Sequence, residues 1–135
     1  MLTSKAPSKK KGRRRSKRSS SQSAMFAAVD LGTNNCRLLI AEPQGKRFRV
    51  VDSYSQIVRL GEGLSASGEL SEAAISRTLS ALKEIRKKVK NYPVKKIRCV
   101  ATQACRAADN GREFIDRVQK ETGLTFKVIS PREEA

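Results

Sequence analysis

Residues 27–40 read Ala-Ala-Val-Asp-Leu-Gly-Thr-Asn-Asn-Cys-Arg-Leu-Leu-Ile, and the break in the middle of that stretch decides the fold. An apolar run ends at Asp30, the chain turns through Gly32-Thr33-Asn34-Asn35, and a second apolar run follows. The pattern predicts strand, tight turn, strand. Gly32 admits a close approach of backbone. Successive amide N–H groups at such a turn, with the Thr33 hydroxyl and the Asn34 amide, make a concavity suited to phosphate oxygens. Asp30, at the strand end, is placed to hold a metal-bound water or a phosphate-bound cation. An ordinary β-hairpin turn draws on similar residues, so this segment alone leaves both readings open.

Outward from the hairpin, strands are expected at about 26–31 and 37–41, then a turn at Pro43-Gln44-Gly45-Lys46 and a third strand at 47–57. Residues 58–68 hold three glycines and read as a loop. Ser71 is a helix N-cap with Glu72 in the first turn. Ile75, Leu79, Leu82 and Ile85 (or Val89) then recur at helical spacing as far as about Lys90. Ile97–Ala101 reads as a short buried strand and Thr102–Ala108 as a helical turn that Asn110-Gly111 breaks. A second amphipathic helix spans 112–122, with Gly123 as its stop, and a fifth strand spans 124–129. Ser130, Pro131 and Glu133 then form the signature of a new helix start.

The order β-β-β-α-β-α-β predicts an α/β domain with a mixed five-stranded sheet whose later strands are reached by helical crossovers. In such sheets ligands gather at the carboxyl ends of the parallel strands. Three polar turns fall there: Gly32–Asn35, Thr102–Arg106 and Ser130–Glu134.

Composition bounds the rest. Of 29 basic residues, nine lie in the first 23 positions with no acid among them, leaving 20 against 13 acidic in the remainder. The formal charge is +16, which favours anionic partners. Residues 1–24 are too poor in apolar groups to offset their ordering entropy and are expected to be a disordered basic tail, with the domain at 25–135. Such a tail suits nucleic acid or another polyanion; it reads equally as a solvated arm, or as sequence upstream of a start at Met25. No secretory signal and no run of about 18 apolar residues occurs, so a cytoplasmic protein without membrane attachment is expected. There is no histidine, which excludes imidazole catalysis. Cys36, Cys99 and Cys105 are not spaced as a zinc site.

The ordered pieces Ala28-Val29-Asp30-Leu31-Gly32-Thr33-Asn34, Val58–Leu64, Leu70–Ile75, Val100-Ala101-Thr102 with Cys105-Arg106, and Val128-Ile129-Ser130 with Glu133-Glu134-Ala135 resemble the N-terminal domain of the exopolyphosphatase / guanosine pentaphosphate phosphohydrolase (Ppx/GppA) family. The resemblance covers about residues 26–135. It implies an actin-like (ribonuclease-H-like) domain that uses Mg²⁺ to hydrolyse a terminal phosphoanhydride of polyphosphate or guanosine pentaphosphate. By the same resemblance Gly32, Thr33 and Asn34 bind phosphate. Asn35 stands where Ser or Thr is usual, and its amide is still a donor. Arg106 neutralises phosphate charge, Glu134 is the catalytic base beside Glu133, and Asp30 lies beside the metal. Pro131 and Arg132 replace a more usual glycine-containing turn.

Relatives continue into a second domain with a further Gly-rich phosphate loop, of which this sequence has none. The expectation is therefore a truncated product, a fragment, or one half that awaits a separately encoded C-terminal half, with little hydrolase activity alone. A family-like homodimer is expected only of a full-length form. The competing expectation is a non-enzymatic module that binds RNA or polyphosphate.

Overall fold

The structure, a computed structural model, describes residues 24–134, the last of them in its backbone alone. The basic tail expected over residues 1–24 lies, Ala24 apart, outside the described residues.

Strands form where apolar residues alternate. The first hairpin pairs β1 (Met25–Leu31) with β2 (Asn35–Gln44), and β3 (Arg47–Ile57) returns along β2, both pairs antiparallel. The helix α1 (Leu64–Ser67) is a single turn within the glycine loop, and α2 (Glu72–Lys90) follows. Then come β4 (Val94–Ala101), α3 (Gln103–Ala107), α4 (Gly111–Thr122), β5 (Phe126–Val128) and α5 (Pro131–Glu134). The sheet order is β3-β2-β1-β4-β5, with β4 parallel to both β1 and β5. The expected mixed five-stranded α/β fold is present.

Both long helices cover one face. Ile75, Leu79, Leu82, Ile85 and Val89 of α2 and Phe114, Ile115 and Val118 of α4 are buried in one cluster with Ala27, Val29, Leu31, Leu38, Ile40 and Cys99 from the strands. Each large side chain sealed there contributes on the order of 1.5–3 kcal/mol. Ser71 caps α2 by accepting from the Ala74 amide at 3.1 Å. Gly123 ends α4 in the left-handed conformation, φ 79°, as a helix stop requires. The two buried hydroxyls among the described residues, Thr78 and Thr122, each donate to a carbonyl one turn back at 2.8 Å. Asn110 bridges the two helix starts: its amide oxygen accepts from the Leu70 amide at 2.8 Å and its NH₂ donates to the Leu70 carbonyl at 3.0 Å.

The expected boundaries need correction in places. β2 runs on through Pro43 to Gln44, because past Ala41 it has a neighbour on one side only and a proline costs little there. β4 starts at Val94, its lysines carried into the strand by pairing with β1. β5 is only three residues, matched to Cys99–Ala101. β4 is also less buried than a continuous apolar run suggests: Cys99 and Ala101 are sealed while Val100, facing the other way, is half-buried.

That other face of the sheet carries no helix of its own among the described residues. Register places Phe26, Ala28 and Asp30 on it, with Arg37 and Leu39 from β2, Ser53, Ser55 and Ile57 from β3, Lys96, Arg98 and Val100 from β4, and Lys127 from β5. Phe48 and Val50 join them at 63% and 53% exposure, with the Phe48 ring edge-on to Phe26. No described helix is long and apolar enough to cross a membrane.

Candidate active site

Three strand ends are level. Leu31 pairs with Ala101, and Ala101 with Val128, so the turns after β1, β4 and β5 leave the sheet along one rim about 10 Å wide. The rim is tied by main-chain bonds: the Thr102 amide donates to the Leu31 carbonyl and the Ile129 amide to the Ala101 carbonyl, both at 3.0 Å. The three polar corners expected to converge therefore do so at the level of the backbone.

At the first corner the Gly32 amide donates to the Asn35 carbonyl at 2.9 Å and closes the hairpin. Its own N–H is therefore spent, and a Cβ at Gly32 would meet only ordinary contacts, the Asn35 carbonyl at 3.6 Å and the Thr102 hydroxyl at 3.9 Å. The Thr33 and Asn34 amides make no hydrogen bond among the described residues. A brace holds the tip from behind. The Gly61 amide donates to the Thr33 carbonyl at 3.0 Å, and the Val58 and Arg59 amides to the Asn34 carbonyl at 2.7 and 2.9 Å. A Cβ at Gly61 would stand 2.5 Å from the Thr33 methyl. The second family-like segment, Val58–Leu64, is therefore the scaffold of the first.

Below the rim, on the uncovered face, lies a cavity of about 440 Å³ whose wall includes Asp30, Gly32, Thr102, Arg98 and Glu133. Of the expected site residues it gathers Asp30 and Gly32. Thr33, Asn34 and Asn35, which follow Gly32 as the lip of the rim, do not line it. Arg106 is outside the wall: from α3 its guanidinium donates to the Ile129 carbonyl, so it clamps α3 to the end of β5. Glu134 belongs to α5, but its side chain lies outside the described residues.

Glu133 has a defined task. The Ser130 amide donates to its carboxylate at 2.8 Å, and the Glu133 amide donates to the Ser130 hydroxyl at 3.3 Å, a reciprocal capping box. The Ser130 amide, with Lys127 at 3.4 Å, holds its carboxyl below the usual range. Thiol chemistry is absent from the rim: burial pushes Cys36 up to about 12, helped by the Asp30 charge, and Cys105 up to about 12.

No group of three or more acidic, cysteine or histidine side chains able to cage a metal exists among the described residues. Asp30 and Glu133 are both exposed carboxylates on the cavity wall, and Glu133 is already engaged by the Ser130 amide. That donor set fits Mg²⁺, which is commonly held by one or two carboxylates and the substrate's own phosphates.

Arg98 is outside the expected site residues, and Thr102 is among them only as the first residue of the Thr102–Arg106 turn. The signal that finds Arg98 is the alternation along β4, which puts residues 98 and 100 opposite buried Cys99 once β4 is known to lie beside β1.

Residues 39–135 match the Ppx/GppA phosphatase family. The chain belongs to that family. It is similar to the Ppx/GppA protein of Aquifex aeolicus, with 34% identity and a TM-score of 0.80, over 82% of this chain and 36% of that one. It is also similar to an exopolyphosphatase from Cytophaga hutchinsonii, with 30% identity and a TM-score of 0.78, over 82% and 35% of the two chains. A bifunctional 3-dehydroquinate synthase/phosphatase of Fusobacterium nucleatum is 40% identical over 116 residues, 81% of this chain and 18% of that protein. The chain thus spans about a third of these solved Ppx/GppA relatives.

Proposed function

We propose that this Ppx/GppA chain supplies one lobe of a phosphoanhydride hydrolase that removes the terminal phosphate of polyphosphate or guanosine pentaphosphate. The observation that carries the reading is the shared rim of the turns after β1, β4 and β5, with unclaimed Thr33 and Asn34 amides at its lip.

A phosphoanhydride repels nucleophiles through its charge, so catalysis means offsetting that charge, aligning a water and removing its proton. The Thr33 and Asn34 amides and the Thr33 hydroxyl grip the terminal phosphate. Arg106, fixed on Ile129 at the end of β5, adds positive charge behind the rim. Glu134 takes the proton of the attacking water; a base in that role contributes about 10²–10⁴-fold in rate. Glu133, held in the capping box, sets the direction of the first turn of α5 and leaves its neighbour the acid–base work. Mg²⁺, held by Asp30 and the phosphates, would screen their charge.

The test is calorimetric titration of the chain with tripolyphosphate, with phosphate release followed in Mg²⁺. Wild type should bind, and Thr33→Ala should weaken binding about 10- to 100-fold, the worth of a hydrogen bond to a charged group. Sustained turnover by the chain alone would show that no second lobe is needed. The alternative, a polyanion-binding module without catalysis, is favoured by the nine basic residues in the first 23. It wins if deleting residues 1–24 abolishes binding while Thr33→Ala leaves it intact.

A further inference from the structure

The brace behind the hairpin tip is itself held by a side chain. Arg77 stands in the second turn of α2, half-buried, with buried Ala74 three residues before it and buried Ala81 four after. Its stem therefore borders the apolar stripe of the helix while its charged head reaches past it. There Nε donates to the Val58 carbonyl at 2.9 Å. Nη2 donates to the Arg59 carbonyl at 3.1 Å and to the Glu62 carboxylate at 2.6 Å. One guanidinium thus binds three acceptors on one loop, a use of its planar fork that a lysine cannot copy.

The loop needs such a clamp. Arg59 has φ 47°, a left-handed conformation that a residue with a Cβ seldom adopts and keeps only when its surroundings hold it. Here they hold it from two sides. The Val58 carbonyl and the Arg59 N–H belong to one planar trans peptide and point in opposite directions. Arg77 takes the oxygen, and the N–H donates to the Asn34 carbonyl at 2.9 Å. A single peptide unit is therefore strung between the guanidinium and the lip, and a cation at one end of such a chain strengthens the bond at the other. The lip gains direction from the same loop. The Gly61 amide holds the Thr33 carbonyl, so the Asn34 N–H of that peptide points the opposite way, out from the brace.

We propose that Arg77 is a positioning residue for the anion site at the Thr33–Asn34 lip: it does not touch the anion, and it acts through residues 58–62 to keep the Asn34 amide aimed outward. The proposal rests on the reading of the hairpin tip as a phosphate site. Arg77 is not in the wall of the cavity below the rim, so its effect on the anion travels through the loop.

The experiment is calorimetric titration of the full chain with tripolyphosphate for wild type, Arg77→Gln, Arg77→Lys, Thr33→Ala and Arg117→Gln. Each is titrated where circular dichroism shows it folded, and amide proton–nitrogen spectra are recorded without anion. Arg117, also half-buried, pairs with Glu72 and Glu121 rather than with the loop, and controls for the loss of a side-chain clamp as such. Arg77→Gln should weaken binding about 10-fold, the lower end of the worth of a hydrogen bond to a charged group, and should move the Thr33 and Asn34 amide signals. Arg77→Lys, which keeps the charge but not the fork, should fall between. Arg117→Gln should leave affinity and those two signals unchanged. If the folded Arg77→Gln chain keeps wild-type affinity while Thr33→Ala loses it, Arg77 is a structural clamp only; the proposal is overturned and the phosphate-site reading stands. Equal losses in Arg77→Gln and Arg117→Gln also overturn it, because the effect would then be global. If wild type does not bind, or Thr33→Ala changes nothing, the reading of the hairpin falls and the proposal with it.

Discussion

Glu133 shows how much one residue's pattern can reveal. Ser130-Pro131-Arg132-Glu133 read as a capping box in the sequence, and both reciprocal bonds are present. Because the folded carboxyl is held below its ordinary value, about 4.3 for glutamate, the sign of its pH dependence is fixed. Its contribution is present above that value and is lost as pH falls through the lower, folded one. In acid the first turn of α5 should therefore fray before the sheet does. Backbone nitrogen shifts of Ser130 and Glu133, followed from about pH 6 to about pH 2, should move while those of Val29 stay still; a Ser130 signal indifferent to pH would refute it. Other residues were less legible. Thr33 and Asn34 announce themselves by type and by their place in a turn. Arg98 does not, because an outward arginine in a strand acquires meaning only when the neighbouring strand and its register are known. Arg106 was legible as a positive charge near the rim, but its bond to the Ile129 carbonyl depends on a crossover that sequence does not specify.

Among the elements, the junction of α3 and α4 is the tightest. A Cβ at Gly111 would lie 2.1 Å from the Cys105 carbonyl oxygen, a main-chain atom with nowhere to go. Alanine is worth up to about 1 kcal/mol more than glycine in a helix interior, but overpacking a fixed contact costs about 1–3 kcal/mol. Gly111→Ala should thus be destabilising overall, and a lower urea midpoint with unchanged slope would record it; a higher midpoint would mean the two helices can part freely. Sequence marked Asn110-Gly111 as a break between helices, and correctly. It was silent on the close contact, and on Asn110 as the bridge to Leu70, because both depend on where α2 and α4 meet. The long helices were the most legible elements, since an apolar stripe at helical spacing has few other solutions. The ends of β2 and β4 were the least, since pairing with a neighbour overrides local preference there.

At the scale of the whole, the described residues form two layers with one face of the sheet left open, and that face mixes charge with large apolar groups. Leu39, Phe48, Val50 and Ile57 are all at least 40% exposed. Apolar patches of that kind mark places where another surface settles. A polarity-sensitive dye such as anilinonaphthalene sulfonate should brighten on the native chain. The pair Val50→Lys and Ile57→Lys should dim it while moving stability by no more than about 1 kcal/mol, as for exposed sites on an edge strand. Undiminished fluorescence in the double variant would place the dye elsewhere. The order of strands and the choice of covered face follow from alternation and connection rules; which helices would leave the other face bare does not. One consequence lies in the brace behind the hairpin tip. Its bonds run from main chain to main chain, Gly61 to Thr33 and residues 58 and 59 to Asn34. Gly61 apart, such a truss is sensitive to how many links it contains more than to the lettering on them. A substitution at solvent-facing Arg59 that keeps the N–H and tolerates its φ of 47° would pass unnoticed by the lip, whereas one inserted residue would slacken its hold on whatever lands there.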